Sequence, residues 1–481
     1  MIDFTQIEKY KENNRIEAKK AIGGLPHSIW ETYSAFANTL GGIILLGVKE
    51  HADKTLHAVD LPDPEMLIAE FWDILSNTNK VSVNILCEND VTIEQIDGKR
   101  IVAIRVPHAQ RSDKPVHVDG NPFAGSYRRN GEGDYRCTQA EVRAMMRDAA
   151  IRTQDMDVLD GIGTDVFDCE TVKRYRVCLK TNRHEHAWNE LTDEEFLLKI
   201  GAVGIGKDGE MHPTAAGLLM FGYAREIVSI YPDFYLEYTE RLDGESESTY
   251  SIVSSSGEWG GNIFDFYSRV YDRITHDIKD KYEVGKCNYA RVVEALREAL
   301  ANSLINADYY GLLGVVVTKQ NDVITFSNPG RFRIQLQAAK IGGVSDPRNS
   351  LLTKMFNLID VGDGSGSGIP NIFSVWKKQG WHAPELCEGF DPDRITLSLP
   401  LSKGEKKDTQ ASGDKKAARA YAHKGAIISY LTENVTANST EIAQLLGVKE
   451  DRAKEILADM VKDGYIVASG SNADRMYKLR A

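Results

Sequence analysis

Between Ile29 and Val48 the sequence leaves few structural options. Ile29, Tyr33, Phe36, Ala37 and Leu40 fall at i, i+4, i+7, i+8 and i+11, one face of a 3.6-residue period, and Pro26 just ahead suits a helix start. Gly41-Gly42 ends that helix, and Ile43–Val48 follows as an unbroken apolar run, the pattern of a buried strand. An amphipathic helix feeding a buried strand has to fold as helix layered on sheet. Around this pair, residues 1–150 predict one α/β unit. It has a short helix near 5–11, a strand at Ile16–Lys19, strands at 81–87 and within 91–106 with Asp97-Gly98 as hairpin turn, and a helix from Thr138 to Ala150.

The chain has 481 residues, room for roughly three domains at about 150 residues each. Residues 151–285 read as a connecting α/β region. Leu191–Ile200 is helical, 213–224 is a small-residue apolar segment, Phe234–Thr239 is a strand, and Gly244–Gly261 is a Ser- and Gly-rich loop. In 286–400 a long helix from Tyr289 to Asn306 precedes a hairpin (313–319 and 322–327) and then Asn328-Pro329-Gly330. Residues 401–418, LSKGEKKDTQASGDKKAA, have the composition of a linker. Residues 419–481 run helix, helix (439–446), helix (449–463) and β-ribbon (465–479), the order of a winged helix-turn-helix.

The balance of 58 Lys+Arg against 70 Asp+Glu, a net charge of −12, excludes a basic nucleic-acid coat, so any such site is a local patch. The six cysteines form no CxxC pair, as expected of reduced thiols in a cytoplasmic protein. The longest apolar stretch, Ala215–Ala224, is short of the ~18 residues a membrane helix needs, and no membrane partner is expected. Homo-oligomerisation stays open.

Two constellations carry chemistry. Glu17 and Lys19, two apart on a strand, share a face. Such a pair suits phosphodiester cleavage, with the carboxylate holding a divalent cation and the ammonium stabilising developing charge. Glu12 lies five residues earlier and Glu50 just past the apolar run. Glu12, Glu17 and Glu50 together suffice for one or two Mg²⁺ or Mn²⁺ ions; the alternative is three unrelated surface charges. Nearby, Arg105, Arg111, Lys114, Arg128, Arg129 and Arg136 cluster with Phe123, Tyr127 and Tyr135. Guanidinium groups contact phosphates and rings stack on unpaired bases, so RNA or DNA is the expected partner. In the second constellation, Glu298 and Asn302 lie one helical turn apart, ahead of Asn328-Pro329-Gly330 and of Gly362–Gly368, four glycines in seven. No P-loop and no Rossmann fingerprint is present.

Glu12-x4-Glu17-x-Lys19, followed by Ser34–Gly42 (SAFANTLGG) and Ile43–Val48 (IILLGV), closely resembles the Schlafen AlbA-type domain. That family includes DNA- and RNA-binding proteins, and animal Schlafens in which three acids cleave tRNA and rRNA. The resemblance implies that Glu12 and Glu17 are the first two acids, that Glu50 stands where the third, an Asp, would be, and that Tyr127-Arg128-Arg129 is the family's arginine-bearing strand. Ala18 replaces a usual aromatic. The second half, with PTAAGLLMFG (213–222) and DPRNSLL (346–352), resembles the divergent GHKL-like domain that follows AlbA-type domains in bacterial proteins of transcriptional-regulator type. This implies that Glu298 activates water and Asn302 ligates Mg²⁺, while Asn328, Gly330, Gly364, Gly366 and Gly368 surround ATP. Asn328-Pro329-Gly330 takes the place of the usual DxGxG box.

The expected architecture is therefore α+β and multidomain: an AlbA-type α/β domain, a GHKL-like α/β sandwich and a C-terminal winged helix. The expected function is that of an intracellular nucleic-acid-binding regulator with a nucleotide-binding domain. The alternative is a metal-dependent endonuclease acting on RNA or single-stranded DNA, in a defence role; ATP hydrolysis ranks below both.

Overall fold

The structure is a computed structural model that describes residues 4–241, 250–281, 289–362, 366–389, 392–402, 427, 430–431, 436–446, 448, 450–462, 466–469 and 475–479. The chain forms two compact units, Met1–Thr153 and Gln154–Ala481.

In the first unit, β1 (Ile16–Lys19) pairs in parallel with β2 (Gly42–Leu46), and α1 (Ile29–Asn38) connects them. A hairpin, β3 (Val48–Glu50) and β4 (Leu56–Ala58), precedes α2 (Pro64–Leu75). Strands β5 (Val91–Ile96) and β6 (Lys99–Val106) turn at Asp97-Gly98 and complete a four-stranded sheet of order β1-β2-β6-β5. The short α3 (Pro122–Gly125), the hairpin β7 (Tyr127–Asn130) and β8 (Gly133–Arg136), and α4 (Gln139–Ala149) follow.

Every residue of α1 except Glu31 is buried, including three polar ones, and those polar side chains build the surroundings of β7. Asn38 Nδ2 donates to the carbonyls of Val116 (2.8 Å) and Tyr127 (3.1 Å), and Asn38 Oδ1 accepts from Val116 N–H. Ser34 Oγ accepts from Tyr127 N–H, and Thr39 Oγ1, just past the helix, accepts from Arg129 N–H at 3.0 Å. Buried polar groups need such partners. Here the partners fix β7 against the helix.

Two expectations in this unit are corrected. The apolar run 43–48 is interrupted at Gly47, whose positive φ ends β2 and starts β3. Residues 81–87 are not a strand. The segment has a single bridge, Val81 to Val118, and the Tyr33 hydroxyl serves its backbone, donating to Val83 O and accepting from Ile85 N–H.

The second unit begins with α5 (Cys169–Asn182), α6 (Asp193–Ile200), the ribbon β9 (Val203–Ile205) and β10 (Met211–Pro213), the fully buried α7 (Ala215–Phe221) and α8 (Ala224–Ile230). Next come β11 (Leu236–Glu240), β12 (Tyr250–Val253), α9 (Ile263–Lys281), α10 (Tyr289–Ile305), β13 (Val315–Lys319), β14 (Val323–Pro329), α11 (Leu336–Ile341), α12 (Ser350–Leu358), α13 (Gly368–Gln379), β15 (Glu385–Gly389) and β16 (Arg394–Pro400). The six strands form one sheet of order β12-β11-β13-β14-β16-β15, parallel between β11 and β13 and antiparallel elsewhere. Alternation along the strands buries Val315, Val317, Ile324, Phe326, Ile395, Leu397 and Leu399 in the core, which also takes in α10 and α13. Residues 250–253, expected as loop, pair with β11 as an edge strand, a tertiary contact that Ser/Gly composition hides.

Of the expected linker only residues 401 and 402 are described, and most of the expected helix over 419–432 is outside the described residues. Beyond it, β17 (Ala437–Asn438), α14 (Ser439–Leu446), α15 (Glu450–Lys462), β18 (Ile466–Ser469) and β19 (Met476–Leu479) close on a small core, with sheet order β17-β19-β18.

Candidate functional site

The acids Glu12, Glu17 and Glu50 lie near one another in the first unit, and Glu17 binds a buried arginine. Glu17 and Lys19 share a face of β1, and Lys19 Nζ lies 2.9 Å from Glu17 Oε1. Glu17 Oε2 lies 2.8 Å from Arg129 Nη2, an ion pair without hydrogen-bond geometry. Glu12 Oε1 accepts from Ala18 N–H. Burial, followed by the charge of Glu17 and more weakly that of Glu50, holds the Glu12 carboxyl above its usual range, which places all three acids within electrostatic reach. Glu50 faces two ways: Oε2 meets Lys54 at 3.3 Å, while Oε1 is buried without a hydrogen-bond partner among the described residues. Lys54 also reaches Glu132, at 2.9 Å, on the turn between β7 and β8. Among the described residues no three His, Cys, Asp or Glu side chains converge as a set able to hold a metal ion.

The basic cluster expected to grip phosphates is mostly spent inside the fold. Arg129 is corrected outright. Its side chain is 1 % exposed, and besides Glu17 it binds Asp134 (2.9 Å) and the carbonyls of Asn13 and Ile16. Arg128 pairs with Glu141, the capping-box acid of α4, at 3.1 Å. Arg105 pairs with Glu94 at 3.3 Å. Arg111 donates to the carbonyls of Asp148 and Ala150 at the end of α4, and Lys114 to that of Asn38 at the end of α1, where a cation complements the helix dipole. Tyr127 is buried with its hydroxyl on Glu31. Arg136 is the exposed member, its guanidinium 6.0 Å from the Tyr127 ring centre, and it adjoins the exposed Tyr135.

In the second unit Glu298, Asn302, Asn328, Gly366 and Gly368 all line a single cavity of about 150 Å³. Glu298 and Asn302 come from α10, and Asn302 Nδ2 donates to Glu298 Oε1 at 3.3 Å. The Glu298 carboxylate rests on the N-terminus of α13, where a Cβ on Gly368 would come within 2.1 Å of Oε1. Phe326, Leu386, Ile395 and Leu397 supply an apolar wall. Gly330 is not among the lining residues. Its φ of +102° and bare Cα make room for Arg348, whose Nη1 would lie 1.7 Å from an added Cβ. Gly364 lies outside the described residues. The three lining arginines, Arg331, Arg333 and Arg348, were not among the residues sequence reasoning assigned to the site. Arg333 donates to Pro347 O and faces Asp346 at 3.6 Å, Arg331 pairs with Asp393, and Arg348 donates to the carbonyls of Asn306 and Arg331. The strings NPGRFR and DPRN held the only signal for them.

Residues 12–138 match the family described as "Schlafen, AlbA_2", and residues 314–397 match "Putative ATP-dependent DNA helicase recG C-terminal". The chain is a Schlafen AlbA-type protein with a divergent ATPase-like domain. Residues 143–237 match a domain of unknown function. Among curated proteins no sequence matches. Among solved structures, the N-terminal domain of a putative ATP-dependent DNA helicase RecG-related protein from Nitrosomonas europaea is 32 % identical, spanning 29 % of this chain and 95 % of that one, with TM-score 0.23. The DIP2311 protein from Corynebacterium diphtheriae is 16 % identical over 97 % of this chain and 95 % of its own, with TM-score 0.40.

The AlbA_2 match of this Schlafen AlbA-type protein contains Glu12, Glu17, Glu50 and the basic cluster. The ATPase-like match contains Asn328 and all three cavity arginines, while Glu298 and Asn302 precede it on α10.

Proposed function

We propose that this Schlafen AlbA-type protein is a nucleic-acid-associated regulator whose ATPase-like domain binds a nucleoside phosphate. One observation carries the nucleotide half: residues as far apart as Glu298 and Gly368, picked out as cofactor contacts, line the same cavity. The mixed sheet with α10 and α13 in its core supports a GHKL-like sandwich, and the order β17-α14-α15-β18-β19 supports a winged helix. For the nucleic-acid half, the family supplies the partner class, and Tyr135 with Arg136 supplies an exposed ring and cation on β8. Among the described residues no helix is long and apolar enough to cross a membrane, which is compatible with the cytoplasmic placement proposed here.

The test is equilibrium binding of the full chain to labelled tRNA and to single-stranded DNA, with and without ATP. Binding that ATP shifts supports the reading; no binding to either nucleic acid refutes it.

A second reading, a three-carboxylate endonuclease, draws on the Glu17–Lys19 pair on one face of β1. As arranged, the residues do not fit a shared Mg²⁺ or Mn²⁺: Lys19 and Arg129 already neutralise Glu17, and Lys54 holds one oxygen of Glu50. Cleavage would require Glu50 to leave Lys54 for Glu12 and Glu17. Mn²⁺-dependent cutting of tRNA that disappears in Glu17→Gln would establish this reading, and intact RNA with Mn²⁺ would remove it.

A further inference from the structure

We propose that the outer face of the β7–β8 hairpin binds unpaired bases, with Tyr135 as the stacking platform, so that the partner is single-stranded nucleic acid. The inference rests on the nucleic-acid half of the reading above and narrows it to one class of strand.

Register decides which side chains meet on that face. Tyr127 pairs with Arg136 and Arg129 with Asp134 across the hairpin, and Tyr127 and Arg129 are buried. Alternation therefore sends Arg128 and its cross-strand partner Tyr135 to the opposite side. Arg128 turns to Glu141 at 3.1 Å, and Tyr135 stands 55 % exposed.

A glycine sets the position of the ring. A Cβ on Gly133 would come within 2.7 Å of Tyr135 Cε2, 2.9 Å of Cζ and 3.0 Å of the hydroxyl oxygen. Three such near-equal distances put the flat of the phenol over the glycine, two residues back along the strand, in space that any larger residue would fill. One face of the ring is seated on backbone, and the exposure of the side chain belongs to the other. A base stacks on a ring of this kind, supported on one side and bare on the other.

Charge does not carry the binding here. Glu132, Asp134 and Glu141 around the hairpin are paired with Lys54, Arg129 and Arg128, and Arg136 is the exposed cation of β8. One guanidinium supplies about one phosphate contact, which positions a strand without selecting it. A duplex keeps its base faces stacked on one another and gains only that contact. A single strand adds the stacking of a base, worth about five- to a hundredfold in affinity.

The experiment is fluorescence-anisotropy titration of the full-length chain with labelled RNA and DNA oligonucleotides, each as a single strand and as a duplex with its complement, and with an abasic DNA strand of the same length. The expected result is single-strand binding at least about tenfold tighter than duplex or abasic binding. Tyr135→Leu keeps an apolar cover on Gly133 and has no π face; it should weaken single-strand binding about tenfold and leave duplex binding within about twofold. Tyr135→Phe should bind single strands within about twofold of the parent, since the ring is retained. Thermal unfolding shows whether each variant is folded; if Tyr135→Leu is not, the comparison of strands on the unmutated chain still decides. Equal affinity for single strand and duplex, or for single and abasic strands, overturns the inference and leaves the nucleic-acid reading standing. A folded Tyr135→Leu that binds single strands as the parent does also overturns it. No binding to any strand overturns both.

Discussion

Arg129 discharges several obligations from one buried position. It neutralises Glu17 and Asp134 and satisfies the carbonyls of Asn13 and Ile16, so the start of β1 and the β7–β8 hairpin depend on one guanidinium. Removing one partner of a buried ion pair leaves the others uncompensated, and Arg129→Met should lower the unfolding free energy by about 3–5 kcal/mol in urea titration, with Arg129→Lys intermediate. Glu12 makes a prediction of opposite sign. Burial and then Glu17 raise its carboxyl above the ordinary value of 4.5, so its folded environment favours the protonated form. That contribution to stability is present below the ordinary value and is lost as pH rises through the raised one. Glu12→Gln keeps an acceptor for Ala18 N–H and carries no charge. It should be more stable than the parent at neutral pH, with the gap closing below about pH 4.5, as unfolding measured across a pH series would reveal. At this scale the acids were legible, because strand periodicity put Glu17 and Lys19 on one face. The fate of Arg129 was not. Alternation in β7 sends Tyr127 and Arg129 inward and leaves Arg128 half-buried; which parity faces the core is decided by α1, not by the residues of β7.

Apolar spacing alone predicts helix α1 and its following strand, yet the polar residues Ser34, Asn38 and Thr39 do the positioning, through bonds to backbone distant in sequence. Segment 81–87 departs from its expected strand for the converse reason: its alternation suits a strand, but a tyrosine hydroxyl takes bonds from its backbone at Val83 and Ile85. Two glycines around the cavity separate backbone demand from side-chain crowding. Gly330, at φ +102°, occupies a conformation that L residues rarely adopt, so Gly330→Ala should cost about 1–3 kcal/mol in unfolding free energy whatever Arg348 does. Gly368 lies at the first position of α13 without a positive φ, and what an added methyl meets is the flexible end of Glu298. Gly368→Ala should therefore leave the melting temperature nearly unchanged while displacing Glu298, and a changed ADP affinity in calorimetry would register that movement.

For the molecule as a whole, each unit has its own core, and its net charge of −12 works against any polyanionic partner. The cavity arginines were invisible at this scale because they lie in and beside loops, without periodicity, and their convergence depends on how the sheet brings β14 and the 344–348 loop together. The same reasoning bears on nucleic-acid binding. Six candidate cations, all free, would release counterions with a slope of log affinity on log salt near −4 for a single strand, at about −0.7 per phosphate contact. Five of them, Arg105, Arg111, Lys114, Arg128 and Arg129, already hold carboxylates or carbonyls, and Arg136 is the exposed one. Binding of the full chain to single-stranded DNA or RNA should accordingly show a shallow slope, smaller than about 2 in magnitude, that Arg136→Ala reduces further. A slope near −4 would mean that the internal pairs open to receive phosphate, and that the enclosed arginines are a closed form of the interface.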